Sequence, residues 1–276
     1  LPESEAGSIS RAERLRAQQL LVVIVLVVFG VSCGDPALDE AAYRDKVHGS
    51  WVATMVANHS GLPIEGIWLD APGPGDEVEL VLLDQWSTDD DTHVEWLHLH
   101  TMETHGRDPS YVQIRDEWVD HLNGDIWVAT RAARDLMDEG VLPPETGRLP
   151  LNPEGEWAMD AQLQTELFGL LNPADPGRAR TEARFFAQVM SNGPAVDASA
   201  FYAHLYAMAF VTDDVAALIA DAREDEPADS LVAGIVDDVV RGHVEFPDVW
   251  TPVRERIRQQ YDTDPEWWAS RVNFAS

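Results

Sequence analysis

The sequence predicts an all-α protein, a compact orthogonal bundle of helices with little or no strand. Three observations carry that expectation. From about Asp39 onward, apolar residues recur at helical spacing between Gly and Pro breaks. One stretch alone, Val78–Leu83, reads as a strand, isolated between a Pro/Gly loop and an acidic run, so the strand–helix alternation of a doubly wound fold is missing. Finally, 45% of the 276 residues are apolar, with 10 Trp and 8 Phe, enough for a sizeable core.

The first 33 residues read as an address. Leu20–Ser32 is an uncharged, mostly apolar run behind Arg11, Arg14 and Arg16. It is shorter than the ~18 residues a spanning helix needs and fits a secretory signal. It ends in Ser32-Cys33, which resembles a bacterial lipobox, with Gly30 where Leu is usual. Cys33 is then the expected lipidation site. The chain is expected to be exported and held at the membrane by that lipid anchor alone, on the periplasmic or cell-surface side. A lone Cys has no disulfide partner there. Residues 34–276 read as one helical domain, without internal repeat or long linker.

The remaining elements follow in order. Gly49, Ala53 and Ala57 recur every fourth residue, a smooth helix face on which another helix can pack, before a break at Gly61 and Pro63 that presents Glu65. Residues 93–104 are helix-like behind an acidic start. Asp125–Glu139 stops at Gly140, with Pro143-Pro144 beyond. Asn172–Gly177 is a turn. Phe201, Leu205, Met208 and Ala209 share one helix face. Val232–His243 and Val253–Tyr261 are further helices.

The net charge of −30 excludes nucleic acid and anionic membrane surfaces as attractive partners. One Cys excludes zinc-finger and iron–sulfur frameworks. Three places could carry chemistry. Ser87-Thr88-Asp89-Asp90-Asp91-Thr92 is an oxygen-rich set suited to Mg²⁺, Mn²⁺ or Ca²⁺, since three adjacent carboxylates repel unless a cation or helix N-terminus neutralises them. One Asp there suffices for a helix cap; three exceed that need. The second place is Glu65, and the bland reading is a surface Glu. The third, Ser191-Asn192-Gly193 before a helix, could offer backbone N–H groups to a phosphate, although such triplets are more often turns.

In order and spacing these places resemble the ADP-ribosylglycohydrolase family, which includes the dinitrogenase-reductase-activating glycohydrolases. Gly49, Ala53, Ala57, Gly61, Pro63 and Glu65 follow its opening G-x-x-x-G-x-x-x-G-D-A-x-G-x-P-x-E pattern. Asp89–Thr92 follows its T-D-D-T motif, with Asp89 in place of the first Thr, and 168–177 its G-L-L-A-P-G-D-P turn. Ser191–Gly193 stands at its V-S-H-x-G segment. The resemblance covers about residues 41–261. It implies an all-α fold, two Mg²⁺ ions (or Mn²⁺), and hydrolysis of an N- or O-glycosidic bond of ADP-ribose or a related glycoside. It further implies metal at Asp89, Asp90 and Asp91, catalytic roles for Glu65, Asp90 and Asp91, and a diphosphate near Ser191, Asn192 and Gly193.

The sequence departs from that pattern. Asn58 replaces the Asp of G-D-A, and Asn192 the His of V-S-H-x-G. The family's C-terminal D-x-D motif has no counterpart, since Asp262-Thr263-Asp264 comes too early and reads as a turn. The expectation is a chain incomplete at its C-terminus, with the second metal in doubt. The alternative is a non-catalytic or truncated member that binds a ligand or partner from a lipid anchor. A zinc site from His93, His98, His100, His105 and Glu95 is not expected, because 93 and 100 share one helix face and 98 and 105 another.

Overall fold

A computed structural model of the protein describes residues 38–68, Gly73 and residues 89–261. The signal-like segment with Cys33, the strand-like stretch Val78–Leu83 and the Asp262–Asp264 turn lie outside the described residues. The chain divides into two compact units after Asp39, and the helices belong to the unit Glu40–Ser276.

The described residues form ten α-helices and no strand: α1 (Glu40–Gly61), α2 (Asp90–His105), α3 (Tyr111–His121), α4 (Val128–Asp138), α5 (Glu166–Leu171), α6 (Pro176–Ala187), α7 (Pro194–Met208), α8 (Val215–Glu224), α9 (Leu231–Glu245) and α10 (Thr251–Tyr261). Short 3-10 turns fill the connection between α4 and α5. The fold is all-α, as the sequence predicts. None of the described helices is long and apolar enough to cross a membrane.

Local chemistry sets the helix ends. Asp89 caps α2 by accepting the Thr92 N–H at 2.9 Å. Ser110 and Gln113 form a reciprocal capping box on α3. Asp175, Asp214 and Ser230 cap α6, α8 and α9 in the same way. α4 starts at Val128 rather than Asp125, because Asp125 takes a positive φ of 51° and Trp127 is extended, at φ −132° and ψ 177°. It ends near Gly140 as expected.

The core is shared among α2 to α7. Val94 and Leu97, Ile114 and Trp118, Ala133 and Met137, Phe168 and Phe186 meet in one apolar cluster. Burying each large side chain contributes roughly 1.5–3 kcal/mol. A second cluster joins Ala198 and Phe201 of α7 to Ala222 of α8 and to Val232 and Val236 of α9. α7 therefore lends residues to both.

Two expectations about helix faces are corrected. Gly49, Ala53 and Ala57 are exposed, so α1 does not use its small-residue stripe against another described helix. Its inward side is set by larger residues, Trp51, Asn58 and His59 among them. Close helix packing by small residues occurs instead between α6 and α7, where Ala179, Ala183, Ala203 and Ala207 are fully buried. On α7 the predicted face also differs: Phe201 is buried, whereas Leu205, Met208 and Ala209 are half-buried and the alanine side is the sealed one. α5 crosses α7 so closely that a Cβ on Gly169 would stand 2.2 Å from the Tyr206 Cβ. Only glycine fits there.

Candidate active site

The N-termini of α2, α4 and α5 meet carboxylates, from the preceding residue at α2 and from distant parts of the chain at α4 and α5. At α2, Asp89 binds its own Thr92 N–H through Oδ1, and its Oδ2 accepts a short hydrogen bond from the Asn58 amide of α1. At α4, the buried Asp160 accepts the Thr130 N–H and the Thr130 hydroxyl, both at 2.8 Å. The Trp127 N–H, one turn earlier, serves Asp90. At α5, the Leu167 N–H donates to Glu95 of α2 at 3.0 Å. Orphan N–H groups at the starts of α4 and α5 are thus satisfied by acids brought from elsewhere in the chain, while α2 is capped by the residue before it.

This arrangement gathers Asp89, Asp90, Glu95, Asp160 and Glu166. Burial, together with the neighbouring Asp160 and Asp89, raises the Asp90 carboxyl to about 6. Burial raises Asp160 as well, against the pull of its two Thr130 bonds. Burial and the neighbouring Glu166 raise the Glu95 carboxyl to about 8, and burial, with Asp89 nearby, raises Glu166. Tyr206 donates to Glu166 Oε1 at 3.0 Å, and Glu166 Oε2 is buried without a hydrogen-bond partner. Among the described residues, no Lys or Arg stands with the neighbours that shift these four carboxyls. A cluster of oxygen ligands whose charges repel suits a hard divalent ion.

The sequence-predicted residues fare differently within this frame. Asp89 is the helix cap, with both oxygens engaged. Asp90 stands in the carboxylate cluster. Asp91 follows in the first turn of α2, and its side chain lies outside the described part. Glu65 is exposed, at the end of the 3-10 turn after α1, and no described side chain holds it against the aspartates. The Ser191–Gly193 triplet spends its donors inside the fold. Ser191 N–H reaches Ala187 O at 2.8 Å, Asn192 N–H reaches Gly155 O at 2.8 Å, and the Asn192 amide reaches Gly147 O at 2.6 Å. The N–H groups of Ser191 and Asn192, assigned from sequence to a diphosphate, are occupied for that reason. Gly193 then opens α7 with φ 55°, a conformation suited to glycine.

Sequence reasoning missed Asp160 and Glu166, and weighed Glu95 only among histidines. The one local signal was an acid beside apolar runs, at 158–161 and 166–171. Their partners lie 30 to 72 residues away.

A cavity of about 730 Å³ adjoins the cluster, lined by Trp51, Met55 and Asn58 of α1, by Thr92, His93, Trp96, Leu97 and His100 of α2, and by 121–124. The Trp51 and Trp96 rings stand 5.6 Å apart at 33°. At the far end, His100, Glu117 and His121 bring three ligand atoms within 4.8 Å of one another. The expected separation of the histidines therefore holds only in part. His98 is buried in the aromatic core, whereas His100 and His105 both reach Glu117, at 3.2 and 2.7 Å. The faces of α2 do diverge, but a carboxylate from α3 spans them.

The sequence model of the ADP-ribosylglycohydrolase family matches residues 39–274. Neither a curated protein nor a solved structure matches the chain.

Proposed function

The chain belongs to the ADP-ribosylglycohydrolase family, and from that premise we propose that it hydrolyses an N- or O-glycosidic bond of ADP-ribose or a related glycoside, with Mg²⁺ or Mn²⁺. The observation that carries this reading is the cluster of raised carboxylates around Asp90, beside a cavity of ligand size whose lining includes Thr92 and the Asn58 that holds Asp89. Asp90, with Asp89 and Asp91 beside it in sequence, would hold the ion. When bound, such an ion supplies a polarised water for attack at an anomeric carbon.

The chain's own residues do the rest. Asp160 fixes the start of α4 against Asp90. Within the cluster Glu95 keeps a proton at neutral pH and ties α2 to α5 through the Leu167 N–H. The carboxylates favour the positive charge that develops on a sugar ring during cleavage. Trp51 and Trp96 offer flat apolar faces to a planar base. Glu65 is included as a further carboxylate because the end of α1 is tied to Asp89 through Asn58, seven residues before it. Glycosidase assays with N- and O-linked ADP-ribosyl acceptors test the proposal. Release of ADP-ribose that needs Mg²⁺ or Mn²⁺ and disappears in Asp90→Asn is expected.

One observation favours the second reading, a non-catalytic member that binds a ligand or partner. Both oxygens of Asp89 are already used, by the cap and by Asn58. On that reading the assays give no turnover while ADP-ribose still binds. Export and lipidation at Cys33 complete the proposal, and fatty-acid labelling of the parent but not of Cys33→Ala is the expected result.

A further inference from the structure

The far end of the cavity holds a second set of ligands with different chemistry. His100 projects from α2, and Glu117 and His121 lie one turn apart on α3. Glu117 Oε2 stands 3.2 Å from His100 Nε2 and 3.2 Å from His121 Nε2. Ligand atoms on a tetrahedral ion with bonds of about 2.0–2.1 Å are separated by roughly 3.3 Å. Both histidine–carboxylate spacings already match that edge. The two imidazole rings are 5.0 Å apart and nearly perpendicular, at 80°.

The other oxygen of Glu117 is held in place. Gln113 accepts the Ser110 N–H through Oε1 at 2.8 Å, so its NH₂ group faces His105 Nδ1 at 3.1 Å. His105 therefore carries its proton on Nε2 and donates it to Glu117 Oε1 at 2.7 Å. A carboxylate oriented by an outer hydrogen-bond partner through one oxygen, with the other turned to the ligand set, is how protein ligands to metals are commonly set. The capping box of α3 thus fixes Glu117 through His105.

Two imidazoles and one carboxylate form an N₂O set. It suits Zn²⁺ and its neighbours in the transition series, not Mg²⁺. The His100 and His121 side chains are about half exposed and reachable by an ion, and both line the cavity. We propose that His100, Glu117 and His121 bind one transition-metal ion of the zinc class, with a remaining coordination position facing the cavity. Along α2 this site lies ten residues from Asp90, about 15 Å by helical rise, and is distinct from the hard-cation cluster.

The competing account is a histidine–carboxylate ion-pair cluster that never holds metal. Chelator-stripped full chain, titrated with Zn²⁺ in saturating Mg²⁺ and followed calorimetrically, separates the two. The expected result is one bound Zn²⁺ in the parent and in Asp90→Asn, with affinity at least tenfold weaker in His100→Ala and in His121→Ala. Co²⁺ in place of Zn²⁺ is expected to give the intense visible bands of a low-coordinate histidine site, absent from the same two variants. If an alanine variant loses its helical circular dichroism, His100→Gln takes its place. No Zn²⁺ binding by the parent overturns the proposal. So does binding unchanged in the histidine variants, or binding lost only in Asp90→Asn.

Discussion

Asp160 caps α4 from thirty residues downstream, accepting both the N–H and the hydroxyl of Thr130 at 2.8 Å. A single buried carboxylate thereby connects the loop before α5 to the N-terminus of the helix that faces Asp90. Asp160→Ala is expected to destabilise the fold by about 2 kcal/mol, because two buried donors lose their acceptor. Asp160→Asn keeps an acceptor and should cost clearly less. Urea unfolding of the two variants checks this, and equal losses would show that charge, not the bond, matters.

His98 has the opposite character. It is fully buried among Trp118, Phe168 and Phe186, and neither ring nitrogen has a hydrogen-bond partner. Burial alone lowers its pKa from 6.5 to about 3. The folded state accepts the proton less readily than the unfolded chain, so His98 contributes no pH-dependent penalty above pH 6.5. Stability falls as pH drops from there toward 3. His98→Phe should remove this part of the acid sensitivity without loss at pH 7.5. Thermal melts of parent and variant at both ends of that range are the measurement.

Asp90 predicts a dependence of the other sign. Its carboxyl is raised from 3.8 to about 6, so the metal-free fold favours the protonated form. The associated stability is complete below pH 3.8 and is lost as pH rises through 6. Metal-free Asp90→Asn is expected to melt higher than the parent at pH 7.5 and level with it at pH 3.5. The gain should be roughly 1 kcal/mol, since the carboxyl keeps some solvent contact. No difference at pH 7.5 would mean that the cluster relaxes without cost.

With the ion present the ranking should reverse. Saturating Mg²⁺ or Mn²⁺ raises the stability of a protein that binds it only when folded, by about 2.7 kcal/mol at a hundredfold excess over Kd. The parent should show that rise and the Asp90→Asn/Asp91→Asn double variant should not. A rise of the same size in both would move the ion away from α2.

For the cavity, Trp51→Ala and Trp96→Ala should each weaken substrate binding several-fold, about 1 kcal/mol, and leave kcat nearly unchanged. A fall in kcat with KM constant would assign the tryptophans to the reacting centre instead.

Much of this was readable from local chemistry. Gly140 ends α4 where the sequence places the stop, and the Asp run opens α2 where it places the start. The order of motifs also led to the family now matched. What local chemistry could not reveal were meetings across the chain. Glu95 looks like one more polar residue in a histidine-rich helix until α5 brings the Leu167 N–H to it from 72 residues away. Gly49, Ala53 and Ala57 have the spacing of a packing stripe, yet periodicity alone cannot say whether a partner helix arrives. The Ser191–Gly193 triplet resembles an anion loop. Its role depends on Gly147 and Gly155, whose carbonyls take its donors.

The double membership of α7 has a consequence for how this protein fails. Phe201 and Ala198 belong to the cluster shared with α8 and α9, while Ala203 and Ala207 belong to the cluster that supports the carboxylates. One rigid rod is a wall of both rooms. Damage to the distal room, such as Val236→Ala, cannot stay confined there, and it should lower the single melting transition rather than split it into two. Variants far from the carboxylates can therefore look like activity mutants simply by loosening the wall they share.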